Sequence, residues 1–348
     1  MKTIFHFIAS FLLLFSFNLV QAQDAHFSQN HATPLFLNPA MTGLMSGDIR
    51  VAAVYRNQWS AIMGNAPFRT IIGSADIAFD GLRSQDRAAA GLMIYNDKAG
   101  DLNWQTNYAD ISLAYNMGLS NTSYFSIGIA GGITQRSYNL ADAQFESQFN
   151  GDIFDPTMAS GETLNGEGSL QANLGAGIMF YNMVGPRTNF YAGGGMFHFT
   201  RPDLAFTGII NDELQSKITA QLGGSIPIAG KIDLVPSIYY IRQGAHNQLY
   251  GGSFVRFIFD YNERNNTDKA FNLGSWVRLA TDIDSAMEAN ALVIATKVDY
   301  NELAVGLSYD ITLGDLSSVN ANRGGVEISV VYTAKGKEKS QGLECPRF

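Results

Sequence analysis

From residue 48 to residue 335 the chain alternates apolar and polar positions with a period of two. In residues 302–311, Leu303, Val305, Leu307, Tyr309 and Ile311 share one face, while Glu302, Ala304, Gly306, Ser308 and Asp310 share the other. Residues 124–134 split the same way, with Phe125, Ile127, Ile129 and Ile133 opposite Ser126, Gly128, Ala130 and Thr134. So do Val326, Ile328, Val330 and Tyr332 against Glu327, Ser329 and Thr333. Helical spacing explains none of these runs. The pattern predicts about fourteen strands, at 48–57, 67–80, 86–96, 104–117, 122–136, 169–183, 188–199, 213–226, 230–242, 246–261, 270–280, 287–298, 300–313 and 324–335.

Several runs exceed ten residues, whereas strands of globular proteins average about five or six. That length, with small or charged residues along one continuous face, favours a membrane barrel over a soluble sandwich or soluble barrel. An even strand number returns both barrel ends to one side. Even-numbered connections are mostly short (118–121, 184–187, 227–230 and 299), and several odd-numbered ones are long, notably 137–168 and 200–212. The even connection 262–269 breaks the rule.

Composition sharpens the class. The chain carries 35 Gly, 15 Tyr and 23 Phe, and its charged residues are 16% of the total against the usual ~25%. After the first 22 residues no apolar run reaches transmembrane-helix length. Those first residues stand apart: Lys2, an apolar Phe7–Phe17 and the small-residue site Val20-Gln21-Ala22 predict a secretory signal cut after Ala22. His6 and Asn18 interrupt the apolar run below the roughly 20 residues that a bilayer demands. The expected organisation is a signal peptide at 1–22, an irregular segment at 23–46, an all-β antiparallel outer-membrane barrel at 47–335 and a short tail at 336–348. A net charge of −8 without a basic face argues against a nucleic-acid partner. The single cysteine, Cys345, cannot form an internal disulfide.

Catalytic chemistry is thin, and no cofactor or metal is expected. His26, His31, His198 and His246 show no metal-ligand spacing and read as ordinary polar histidines. The acid-rich stretches 150–155 and 281–290 lack EF-hand spacing, and the glycine runs near 175 and 193 lie inside strands. Charge inside the barrel says more. Extending the alternation places Arg50, Arg56, Asp76, Lys217, Asp233, Arg256, Asp260, Arg278, Glu302, Asp310 and Glu327 inward. On the lipid face an Arg or Lys would cost about 2–4 kcal/mol near the midplane, so these groups must meet water or partners. Two readings stay open: an interior filled by ion pairs and hydrogen bonds, or a conduit or docking cavity.

The segment Phe27–Gly43 is punctuated by Pro34 and Pro39 and should run as irregular turns. Its residues Phe27, Ser28, Gln29, Pro34, Asn38, Pro39, Ala40 and Gly43 are followed by Tyr55, Arg56, Asn57, Gln58 and Trp59 and, at the end, by Cys345, Pro346 and Phe348. Together they resemble the signature of the PorP/SprF family of type IX secretion system membrane proteins. The resemblance implies a non-enzymatic outer-membrane barrel of gram-negative Bacteroidota that serves secretion and gliding machinery. Such a protein helps to export or hold a specific surface protein, often a large adhesin with a C-terminal sorting domain, and contacts periplasmic components of the machine. A diffusion porin or small-molecule channel is the alternative, and an outer-membrane hydrolase a third reading. Loops 137–168 and 200–212 are expected on the outer surface, in contact with the passenger. The leader is expected to start on the periplasmic side and to pack into or across that mouth as a partial plug, with Asn38-Pro39 as a fixed turn and Trp59 at the far end of the first strand. The competing reading is a leader that only threads the chain into that strand.

Overall fold

The computed structural model describes residues 24–334 except 64–66, 84, 101–103, 139–144, 162–167, 169, 186, 206–212, 263–266 and 282–285. The signal sequence, Gln23 and the motif residues Cys345, Pro346 and Phe348 lie outside the described residues. Fourteen strands follow: β1 Ile49–Gln58, β2 Phe68–Asp80, β3 Arg87–Ala99, β4 Trp104–Gly118, β5 Ser123–Ser137, β6 Gln171–Gly185, β7 Thr188–Phe197, β8 Lys217–Ala229, β9 Ile232–Gln243, β10 His246–Asn262, β11 Thr267–Thr281, β12 Met287–Tyr300, β13 Leu303–Thr312 and β14 Arg323–Ala334. Each pairs antiparallel with its sequence neighbour, and β1 closes on β14 from Ile49↔Ala334 to Gln58↔Gly325. Closure leaves no strand edge exposed to lipid.

One end of the barrel carries the start of β1, the end of β14 and the short turns, and is called the turn end below. The other, the loop end, carries the connections 138–170 and 198–216. At the turn end β10 and β11 run further than the sequence pattern suggests and leave only 263–266 between them, so the apparent exception at 262–269 disappears. A bulge between Ile258 and Asp260 shifts the phase of β10. Asp260 is therefore exposed outside the lumen, near Lys269 at 3.5 Å, rather than inward. Glu302 also departs from the alternation, because it sits in the tight turn Asn301–Glu302 between β12 and β13.

The outward face is apolar, with Ile71, Leu92, Ile111, Ile129, Ile178, Ile294 and Leu307 all exposed. Leu307 lies mid-strand, 52% exposed. Leu307→Arg is expected to cost about 2–4 kcal/mol and to cut the yield of heat-modifiable barrel on refolding into vesicles, with Leu307→Ile near native. Equal yields for the two variants would remove Leu307 from the lipid face. Ser308 is no harmless comparison on the other face, since it is 2% exposed directly opposite Glu327.

Candidate functional site: a lumen occupied by the N-terminal segment

Residues 24–45 lie inside the barrel. Prolines start two of their short helical turns, over Pro34–Leu37 and Pro39–Met41, with a further 3-10 turn at Asn30–Ala32. Phe27, Leu35, Phe36, Leu37, Ala40, Met41, Leu44 and Met45 are all buried against inward-facing side chains of the strands. Phe36 stacks on Tyr95 at 5.5 Å, and Tyr95 on Tyr108 at 4.8 Å, which forms an aromatic ladder from the segment to the wall.

The segment runs against the expected direction. Asp24 is at the loop end, where its backbone N–H donates to Gln243 Oε1 at 2.8 Å. Its carboxylate receives Lys217 Nζ at 2.7 Å and the Tyr108 hydroxyl at 2.6 Å, with His198 Nε2 at 3.0 Å. Burial alone would raise the Asp24 carboxyl, but Lys217 and His198 outweigh it and hold it well below the usual carboxylate range. From there the chain descends the whole lumen and leaves at the turn end, where Asp48 N donates to Ala334 O at 2.9 Å. It does not start at the turn end, where β1 begins, because its first anchors are on strand ends at the opposite rim.

Three sets of contacts fix it on the way down. In the first, Arg56 bridges Asp310 at 2.9 Å and Glu327, while Arg278 reaches Asp310 at 3.1 Å. Glu327 accepts the backbone N–H groups of Ser28 at 2.6 Å and Gln29 at 2.9 Å, and Ser28 Oγ donates to Asp310 at 2.6 Å. Tyr250 donates to the Ser28 carbonyl, and Ser329 to the Gln29 side-chain oxygen. Halfway down, Asn38 Oδ1 accepts from Ala40 N at 2.9 Å and Nδ2 donates to the Ile178 carbonyl at 2.9 Å, which makes Asn38-Pro39 a capped turn tied to β6. Near the turn end Arg50 grips Asp76 through two bonds of 2.9 and 2.7 Å and donates to the Met41 carbonyl. Gly43 N donates to the same Asp76 at 2.7 Å.

The wall makes room with glycine. A Cβ on Gly128 would stand 2.4 Å from the Pro39–Ala40 backbone, and one on Gly177 would stand 2.0 Å from Asn38 Oδ1. Gly43 adopts φ +69°, and a side chain there would meet Ala89. Packing leaves a cavity of about 180 Å³ at the loop end, between Asp24, Lys217 and His246, and one of about 30 Å³ at the turn end beside Glu302.

The residues singled out in sequence thus divide. Phe27, Ser28, Gln29, Asn38, Ala40 and Gly43 all engage the wall or the segment's own turns, and Pro34 and Pro39 start two of those turns. Of Tyr55 to Trp59, Arg56 faces the lumen, and Gln58 Oε1 accepts from it at 3.2 Å. Tyr55 points outward, and Trp59 follows the end of β1 at φ +60°, edge-on to Phe68 at 5.2 Å. Lys217 and Asp233 are buried, and Arg256 approaches Asp299 at 3.7 Å. Asp24, Asp110, His198, Lys297 and Asp299 join the buried polar set without having been singled out as lumen groups. For Asp110 and Lys297 the strand phase was the available signal; Asp299, the connection expected from sequence, lies within β12, which runs on to Tyr300.

No curated protein matched the chain by sequence. Solved structures are similar to it at low identity. The TodX monoaromatic hydrocarbon channel deltaS2 mutant is 8% identical with a TM-score of 0.49, covering 88% of this chain and 94% of its own. The CymD monoaromatic hydrocarbon channel is 11% identical at 0.47, covering 93% and 100%, and the Ralstonia pickettii toluene transporter TbuX is 10% identical at 0.45, covering 88% and 94%. At these values the likeness says nothing of what this chain binds or passes. The family model for the type IX secretion system membrane protein PorP/SprF matches residues 19–332, and the chain belongs to that family as a closed fourteen-stranded barrel of the outer membrane.

Proposed function

We propose that this barrel supports export or cell-surface attachment of one particular secreted protein, such as a gliding adhesin with a C-terminal sorting domain, in a gram-negative bacterium of the Bacteroidota. The observation that supports this reading is the occupied lumen. A barrel filled by its own chain offers a partner its loops and rims rather than a through-route. The loop end, taken as the cell exterior because it bears the long connections, then receives the passenger, and the turn end meets periplasmic components of the secretion machine. The signature residues Ser28, Gln29, Asn38 and Gly43 act in this scheme as the fastening of a permanent lumen segment, and the signal at 1–22 is cleaved to release it.

The outer loop is suited to recognition. Residues 145–161 fold on themselves: Asp155 N donates to Gln148 O at 2.8 Å, and Gln148 Nε2 donates to Met158 O at 3.0 Å. Phe149 and Ile153 nevertheless stay exposed at 55% and 65%, as unpartnered apolar groups on a loop. Replacement of 146–160 by a short Gly-Ser linker is expected to leave barrel abundance and heat-modifiability unchanged. The amount of secreted protein recovered with the barrel from outer membranes should fall several-fold, measured by mass spectrometry of pull-downs. Equal recovery would move the interface to the rim or the periplasmic side.

A further inference from the structure

The outward face of β2 is apolar from Phe79 to Ile71, eight residue steps that span about 20 Å at about 3.3 Å per residue and a tilt near 40°. The next outward position toward the loop end is Arg69, and directly opposite it on β3 is Lys98. Like charges on one face of a cross-strand pair repel, because the Cβ atoms stand only about 5 Å apart. Neither cation forms an ion pair among the described residues. The carboxylate nearest in sequence, Asp97, belongs to the opposite face and accepts from Thr70 Oγ1 at 2.7 Å.

The neighbours on the same face are neutral amides rather than acids. Lys98 pairs with Gln105, and the row below it holds Asn96 and Asn107, joined by a 2.6 Å bond. The turn end is built differently. There Arg83 has Asp86, Arg87 has Asp48, Arg187 has Asp233 and Lys269 has Asp260. In a chain of net charge −8 an uncompensated pair of cations at one membrane boundary asks for an external anion.

We propose that Arg69 and Lys98, with Gln105, Asn96 and Asn107 beside them, form a binding site on the barrel's outer wall for the phosphorylated head group of an outer-leaflet glycolipid. The head group relieves the repulsion of the two cations, the amides hold its sugar and phosphate oxygens, and its acyl chains lie along Ile71, Ile94 and Leu92. A free phosphate would gain the charge contact without the apolar one.

The test uses the full barrel in nanodiscs and native mass spectrometry with lipid A as probe, alongside the same lipid after phosphatase treatment and inorganic phosphate as competitor. The native barrel should retain lipid A about tenfold better than the dephosphorylated form, with phosphate a poor competitor. Arg69→Ser with Lys98→Ser should lose that preference, and Arg69→Lys with Lys98→Arg should keep it. Arg242→Ser, at a lone outward cation of the same end, should not change it, and all variants should remain heat-modifiable. Equal retention of both lipid forms, an unchanged serine double variant, or full competition by inorganic phosphate would each overturn the proposal.

Discussion

Arg56→Met should loosen the loop-end half of the lumen segment while leaving the barrel closed. Arg56 is 1% exposed and is shared by Asp310 and Glu327, which are themselves 1% and 0% exposed. Removing the cation strands two carboxylates that sit close together behind Ser28 and Gln29. Breaking a buried pair from one side typically costs about 3–5 kcal/mol, because the remaining charge is neither paired nor hydrated. Arg278 still touches Asp310 at 3.1 Å but has no bond to Glu327, so Glu327 carries the larger part of the loss. Relief comes when water enters and the segment yields, since the strand ladder on both sides is intact. The readout is hydrogen exchange at Ser28 and Gln29, whose N–H groups both end on Glu327. Their protection should fall by at least tenfold, whereas Gly43, held at Asp76 far below, should keep its own. The triple change Arg56→Met, Asp310→Asn and Glu327→Gln should restore part of the protection by removing the stranded charges along with their partner. Unchanged exchange in Arg56→Met would mean that Ser28 and Gln29 are held without the Arg56 ion pairs.

The strands were legible in the sequence and the segment's path was not, for one physical reason. Alternation is a local signal, and each of the fourteen strands buries one face and greases the other, so the period survives in any short window. The same phase assigned Arg50, Arg56, Asp76, Arg278, Asp310 and Glu327 to the interior, where they now pair. It failed where the backbone leaves the ideal pleat, at the β10 bulge before Asp260 and at the turn holding Glu302. Asp110 and Lys297 were as readable as their neighbours and needed only the same count, whereas Asp299 falls where the sequence pattern puts a connection, the turn lying two residues further on, at 301–302. Asp24 was not readable. Its partners Lys217 and His198 lie 193 and 174 residues away, and a segment of one-turn helices has no period from which to infer a direction. Prolines and Asn38 announced a turn-rich leader, but only the register of distant strand ends decides which mouth its first residue reaches.

Excision of residues 24–45 should convert a nearly silent barrel into an open one. Fourteen strands spaced about 4.8 Å apart and tilted about 40° close into a cylinder with a backbone radius of about 14 Å. Inward side chains take roughly 5 Å from each wall, which leaves a passage near 18 Å across, and a helical turn with its side chains fills about 10–12 Å of that. Beside the native segment, the loop end keeps a cavity of about 180 Å³ between Asp24, Lys217 and His246. Without the segment, Arg50, Asp76, Arg278 and Asp310 keep cross-wall partners and become hydrated, so a polar interior survives. Assembly should also survive, since the lipid face is made by the strands and the backbone pairing of the β1–β14 seam, from Ile49↔Ala334 to Gln58↔Gly325, does not pass through residues 24–45. In planar bilayers the excised form should give stable steps at least tenfold larger than the native barrel, with salt-dependent ion selectivity set by the exposed charges. If the native barrel already conducts as well as the excised one, the segment is no obstruction and the diffusion-channel reading gains over the anchor. If the excised barrel stays silent yet loses its secreted partner, the segment serves recognition instead, through its Asp24 end at the loop end.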